Sequence, residues 1–265
     1  MLVDTNYQNS VSFQDDLGRY FTSRHPHVIV DGDRVSALIE APGVDGPGVF
    51  PEFLDGRVAS YATRAKEPFA PYLDDVTGEA IQFDFDRDYA HRLLVHHQEG
   101  GGNMGHWALA RLRLRAEVQR DVRRALETID GDYDAVHVRH TDYQSDYGEL
   151  MDWLKTNGRP TIYLATDSEV VVSDFRKYLP GRRIFNFSSM LSFDGTPIHL
   201  RRLDIEGARR RNMESLRDLM LLCRAGRIFY TLVKGFQGRV YPSGYTTLAL
   251  NLRKRPAIIR ALFGQ

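Results

Sequence analysis

A single cysteine, Cys223, in a chain of 265 residues removes two classes of protein at once. No disulfide framework can form within the chain, and no cysteine-based zinc site can be assembled. Its setting in LRDLMLLCRAG reads as a small buried residue rather than a nucleophile. An excess of one charge is missing too: 35 Lys and Arg stand against 35 Asp and Glu. No global field then draws the chain to nucleic acid or to an anionic membrane, so any anion binding has to be local. Long apolar runs are also missing, none approaching the roughly 18 residues that a membrane span needs. The opening MLVDTNYQNS has no basic stretch leading into a hydrophobic one. The expectation is a soluble, cytoplasmic protein without a membrane span or a nucleic-acid partner.

What is present is enough apolar material, 42% of residues, for one large domain or two ordinary ones. MLVDTN, HVIVD and VSALIE read as strands and FQDDLGRYFTSR as a helix; residues 41–56 are a Gly- and Pro-rich loop, followed by strand-like GRVASYA and EAIQFDFD. From residue 91 the pattern sharpens into a strand, HRLLVHHQ, a turn, EGGGNMG, and one long amphipathic helix over HWALARLRLRAEVQRDVRRALETI. DAVHV, TIYLAT, RRIFNF and GRIFYTL then read as strands. Helices are expected over DYGELMDWLKTN, from Ser168, over MESLRDLMLLCRA and over YTTLALNLR, with a polar loop running through Arg211. Strands alternating with helices imply an α/β fold with a parallel sheet, flanking helices and a ligand at the carboxyl ends of the strands. The expected organisation is an N-terminal α/β region over 1–105, a connecting helix over 106–130 and a Rossmann-like domain over 131–265.

Three strand ends carry the chemistry. In AVHVRHTDY an apolar strand runs into His137, Arg139, His140, Thr141 and Asp142. Arg139 is suited to two-point recognition of phosphate oxygens, or to an ion pair with Asp142 or Asp167, with Asp142 capping the next helix. A metal site built on His137, His140 and Asp142 is the weaker reading, because ligands so close on an extended segment face different ways. TIYLATDS places Thr166, Asp167 and Ser168 where they can cap a helix or touch a nucleotide. VYPSGYTTLALNL puts Ser243 and Gly244 at a helix mouth, again as a cap or as an anion site. HLRRLDIEGARRR holds five arginines, read as a solvated face or as a lid over a diphosphate. GGGNMG offers Gly100, Gly101, Gly102 and Asn103 as a phosphate or acceptor cradle, with Gly100, Gly102 and Gly105 fitting G-x-G-x-x-G. An NAD-dependent oxidoreductase on that motif lacks the acidic residue expected at the end of the next strand.

HVRHTD, YLATDS, and SLRDLMLLCRAGRIFY followed by YPSGYTTLA, in that order and at that approximate spacing, resemble the α1,6-fucosyltransferase and protein O-fucosyltransferase superfamily, which includes the nodulation-factor fucosyltransferases. The resemblance covers residues 90–265; residues 1–90 match loosely, through LVDTN and an aromatic-rich stretch. It implies a GT-B-like fold of two Rossmann-like units and inverting, metal-independent transfer of fucose from GDP-fucose to a glycan hydroxyl, with no cofactor. Arg139 would hold the diphosphate. His137, His140, Asp167, Ser168, Asp218, Ser243, Gly244 and Tyr245 would surround the donor, Asp142 would organise the loop, and Asp146 would be the candidate base. Ser168 replaces the second residue of the family's acidic pair, Asp218 sits about a turn early, and Tyr147 stands where a family carboxylate is proposed. The family's opening strand, Gly-rich loop and helix are missing, as though the chain began at the second strand. That leaves a GDP-sugar-binding protein without activity as the alternative.

Overall fold

A computed structural model describes residues 14–24, 37, 48–58, 60–65, 71–84, 86–97, 102, 105–143, 145–189, 191–192, 194–197, 201, 203–234 and 238–265. The strands expected at MLVDTN and HVIVD, and the residues Gly100, Gly101 and Asn103, lie outside them, as does VSALIE except for Ala37, which is helical rather than extended.

The centre of the molecule is a four-stranded parallel sheet. Its strands are β7 (Asp134–Val138), β8 (Thr161–Thr166), β9 (Arg183–Phe185) and β10 (Arg227–Tyr230), in the order β10-β7-β8-β9. Every residue of β7 and β8 is buried, as expected where helices cover both faces of a parallel sheet. Alternation sorts their side chains. Val136, Val138, Ile162 and Leu164 join a core beneath helices α3 (Gly148–Asn157) and α4 (Glu169–Tyr178). Ala135, Tyr163 and Ala165 join the larger core formed with α2 (Ala116–Ile129), α5 (Ile205–Arg224), α6 (Gly244–Arg253) and α7 (Pro256–Leu262). Each large aliphatic side chain buried this way contributes about 1.5–3 kcal/mol. Helix α2 reaches the core through Val118, Val122, Ala125 and Ile129, a stripe at helical spacing.

The chain runs outward from β7 through α3 to β8 and through α4 to β9. It then crosses back through α5 to place β10 on the other side of β7. The strand order therefore reverses between β7 and β10, and the crevice at their carboxyl ends is the topological switch point. At the amino ends the fully buried Asp134 accepts from Arg227 Nε at 2.8 Å and Nη2 at 2.7 Å, and from the Arg159 backbone N–H at 2.8 Å. Both strands are thereby pinned at the end away from the crevice.

Smaller ladders complete the fold. β1 (Phe21–Ser23) pairs antiparallel with β6 (Leu112–Leu114), and β11 (Leu232–Lys234) with β12 (Val240–Pro242). β2 (Val49–Phe50) pairs in parallel with β5 (Leu93–Leu94), and β3 (Thr63–Ala65) antiparallel with β4 (Tyr72–Asp74), around a small core of Val49, Leu54, Val58 and Ile81.

Several expectations are corrected. The helix read as continuous over 106–129 is a short α1 (Gly105–Leu109), the strand β6, and then α2. Leu112-Arg113-Leu114 alternates buried, exposed, buried, a period-two signal hidden inside an otherwise helical run. FQDDLGRYFTSR forms a single 3-10 turn over Leu17–Arg19, capped by Asp16, followed by β1. In GRVASYA the residues from Gly56 to Val58 form turns, and EAIQFDFD has one bridge, at Ala80. The polar stretch through Arg211 is helical from Ile205, because the Asp204 side chain accepts from Gly207 N at 2.7 Å and starts α5 two turns early.

Candidate functional site

A cleft of about 580 Å³ opens at the carboxyl ends of β7 and β8. His137 and Arg139 from the end of β7, and Ala165, Thr166 and Asp167 from the end of β8, line it together with α5 and α6. Its position follows from topology, and its polar groups come from strand ends where the backbone leaves the sheet.

Arg139 sits in a carboxylate clamp. Its Nε and Nη2 donate to the two Asp142 oxygens, each at 2.7 Å, and Nε lies 3.6 Å from Asp167 Oδ2. Of the readings open for Arg139, this structure has the ion pair, and the pairing raises its pKa by hydrogen bonding and charge despite burial. Asp142 caps no helix: α3 starts at Tyr147 without a side-chain cap. Asp167 organises the loop, accepting from His140 N at 2.8 Å and Thr141 Oγ1 at 2.6 Å. The Ser145 hydroxyl donates to the Arg139 carbonyl at 2.5 Å, and His140 Nδ1 lies 3.1 Å from the Ser145 carbonyl. The loop after β7 is thus fixed by its own polar groups and by the end of β8.

His137 points from β7 towards the start of α6, with Nδ1 2.6 Å from Thr246 Oγ1 and its ring 5.3 Å from that of Tyr245. Burial, helped by the Arg139 charge, lowers its pKa to about 3, so the ring is neutral at ordinary pH. Ser243 is the α6 N-cap, its hydroxyl accepting from Thr246 N at 3.1 Å. The first amides of α6 therefore lie next to His137. Tyr245 lines the cleft, and burial raises its phenol well above the usual range. Gly102 of the G-x-G-x-x-G motif packs against the start of α6. A side chain on Gly102 would meet the Gly244 carbonyl oxygen at 2.3 Å, and Asn251 donates to the Gly102 carbonyl at 3.1 Å.

Asp218 enters from α5, accepting from Tyr163 Oη at 2.5 Å and Ser188 Oγ at 3.1 Å. Burial outweighs those bonds and the neighbouring Arg217, and raises its pKa to about 6. Arg211, Asn212, Glu214 and Ser215 line the cleft from the same helix. Sequence reasoning passed over them. Residues 211, 214, 215 and 218 recur at helical spacing; Glu214 and Ser215 fall within the expected helix, whereas Arg211 falls in the stretch read as a loop. Thr246, the partner of His137, was missed as well; its position three residues after an N-cap serine was the available clue.

Of the named residues, His140, Asp142, Ser243 and Gly244 stand behind this lining, and Ser168 and Asp146 are also outside it. Ser168 is buried at the α4 N-cap position without a side-chain cap bond, bridged to Ser192. Asp146 is exposed at the start of α3, accepting from Gly148 N at 2.9 Å. Among the described residues no group of three or more His, Cys, Asp or Glu is placed to hold a metal ion, and no helix is long and apolar enough to cross a membrane.

Sheet order, flanking helices and a cleft at the carboxyl ends of the strands define an α/β protein with a Rossmann-like parallel sheet. Among solved structures it is similar to the crystal structure of NodZ alpha-1,6-fucosyltransferase soaked with GDP-fucose, with a TM-score of 0.50 and 16% identity over 94% of this chain and 80% of that one. The likeness establishes the fold, which is fucosyltransferase-like and of the GT-B-like type expected from the sequence. No protein-family model and no curated protein matches the chain.

Proposed function

We propose that the protein is a glycosyltransferase that moves fucose from GDP-fucose to a glycan hydroxyl with inversion and without a metal ion. The observation that carries this reading is the placement of Arg139, just past the carboxyl end of β7 and in the cleft, two residues after His137, whose Nδ1 lies 2.6 Å from Thr246 Oγ1 at the start of α6. The neighbouring structure's GDP-fucose supports the choice of donor.

In this reading the acceptor oxygen attacks the anomeric carbon from the face opposite the diphosphate, and GDP leaves with the bonding electron pair. Negative charge grows on the diphosphate as the carbon becomes cation-like. Preorganised donors at that position are the largest source of acceleration in such reactions. Arg139 supplies one, exchanging its Asp142 contacts for phosphate oxygens, and the first amides of α6 supply others through the helix dipole. Neutral His137 supports the donor end of the cleft, and Asp167 holds the loop that carries Arg139. The acceptor proton passes to a carboxylate after β7, with Asp146 the candidate.

Calorimetry tests the reading. GDP is expected to bind equally with and without Mg²⁺, and Arg139→Ala is expected to abolish binding; unchanged affinity in that variant would overturn the proposal. A GDP-sugar-binding protein without turnover is the second reading, favoured by the exposed position of Asp146 away from the cleft lining. Release of GDP from GDP-fucose separates the two, and preference for NAD over GDP would overturn both.

A further inference from the structure

Charge is balanced over the whole chain but not along it. Residues 239–265 hold five Lys and Arg and no Asp or Glu, and residues 100–116 hold three Arg and no acid. The fold brings parts of these two stretches together. In the ladder of β1 and β6, Thr22 stands opposite Arg113, and the Arg24 N–H continues the pairing by donating to the Arg111 carbonyl at 2.8 Å. Opposite and alternate residues of a ladder share a face, so Arg24, Arg111 and Arg113 project together on the side away from buried Leu112 and Leu114. Arg111 Nη1 donates to the Trp107 carbonyl at 2.9 Å, the Arg255 guanidinium lies 5.6 Å from the centre of the Trp107 ring, and Arg113 lies beside Gly264, just past α7. Lys254, next to Arg255, and Arg260 of α7 are exposed as well. Among the described residues none of these six cations has a carboxylate partner. Like charges facing one another across a ladder destabilise it, so solubility alone would favour mixed signs here. Trp107 stands among them, 51% exposed.

We propose that this face docks on an anionic membrane surface, with the guanidinium groups over lipid phosphates and Trp107 in the headgroup layer. Lys and Arg next to such a surface add attraction charge by charge, and an indole settles at the boundary between headgroups and chains. Two features favour lipid over nucleic acid. Arg255 covers one face of the indole, which is therefore no open platform for a stacked base. The other exposed residues next to Trp107 and Arg255 in the chain are Ala108, Pro256 and Ala257, whose side chains have no hydrogen bond to offer a base edge. Gly105, Ala108 and Leu109 of α1 line the cleft while Trp107 of the same helix faces outward, so docking would hold the cleft close to the lipid.

Co-sedimentation of the full chain with vesicles tests this, comparing phosphatidylglycerol and phosphatidylcholine mixed one to three with phosphatidylcholine alone, at about 0.1 M salt. The mixed vesicles are expected to bind about tenfold more tightly or better, and to lose the protein at about 1 M salt, where charges are screened within about 3 Å. Arg113→Gln with Lys254→Gln, at exposed positions outside the cleft lining, should weaken that binding roughly thirtyfold while Tm stays unchanged. In a Trp153→Phe protein, Trp107 is the one indole left, and its emission should shift to the blue on the mixed vesicles. Equal binding to the two vesicles, binding to neither, unchanged affinity in the double variant or an unshifted Trp107 emission would each overturn the proposal. Tighter binding to a single-stranded oligonucleotide than to the mixed vesicles would overturn it too, by assigning the face to nucleic acid.

Discussion

Burial acts on two titratable side chains of the cleft with opposite sign. Asp218 is raised to about 6, so the folded state binds more protons than the unfolded one between about pH 4 and 6, and stability from this group falls as pH rises through that window. His137 is lowered to about 3, so the unfolded state binds more protons between about pH 3 and 6.5, and its contribution rises with pH. In the shared window the two slopes largely cancel. Asp218→Asn keeps an acceptor for Tyr163 and a polar partner for Ser188, so it is expected to stabilise the fold by about 2–3 kcal/mol at pH 8 and little at pH 4. With that cancellation gone, urea unfolding of the variant should show stability climbing from pH 4 to 6.5. A flat profile would mean that His137 is not held neutral.

At the scale of elements, the break between α1 and α2 is set by β6. Leu114, 1% exposed, pairs with Phe21 of β1 and packs in the main core. Leu114→Ala should cost about 3 kcal/mol, read as a lower urea midpoint with little change in slope. Gly102→Ala places a methyl against the Gly244 backbone, and the expected result is about 1–3 kcal/mol of destabilisation together with weaker GDP binding, since the start of α6 has to move. What the sequence made legible follows the same division. DAVHV and TIYLAT were readable because a strand buried on both faces is short and mostly apolar, and the polar residues of HVRHTD and YLATDS come at its carboxyl end. LRL was not, because three alternating residues inside a run of arginines and leucines fit a helix equally well until Phe21, some ninety residues earlier, supplies the partner strand. The first two turns of α5 were hidden for a related reason. Its cap, Asp204, lies in an arginine-rich stretch with little apolar content, and tertiary burial of Arg211 and Asn212 decides what local composition leaves open.

For the whole molecule, the proposed function links donor binding to folding through the cleft. The cleft draws on the 3-10 turn, β1, β6, β7, β8, α1, α5 and α6, so a ligand there touches elements spread along most of the chain. GDP at a hundred times its dissociation constant should stabilise the native state by about 2.7 kcal/mol and raise Tm by about 5 °C or more. A thermal-shift measurement checks this, and Arg139→Ala should remove the shift without lowering the ligand-free Tm by more than a degree or two.

The clamp around Arg139 also bears on what the protein ignores. A guanidinium already held by one carboxylate at 2.7 Å through both donors, with a second at 3.6 Å, gains little by trading them for a small mobile anion. Inorganic phosphate and chloride, abundant wherever nucleotides are found, bring no other contacts to compensate for the exchange. A nucleoside diphosphate brings a base and a ribose as well. On the proposed function the two aspartates would act as a filter on ligand size: they would hold the cation shut against simple salts and yield to a ligand large enough to be gripped elsewhere at the same time.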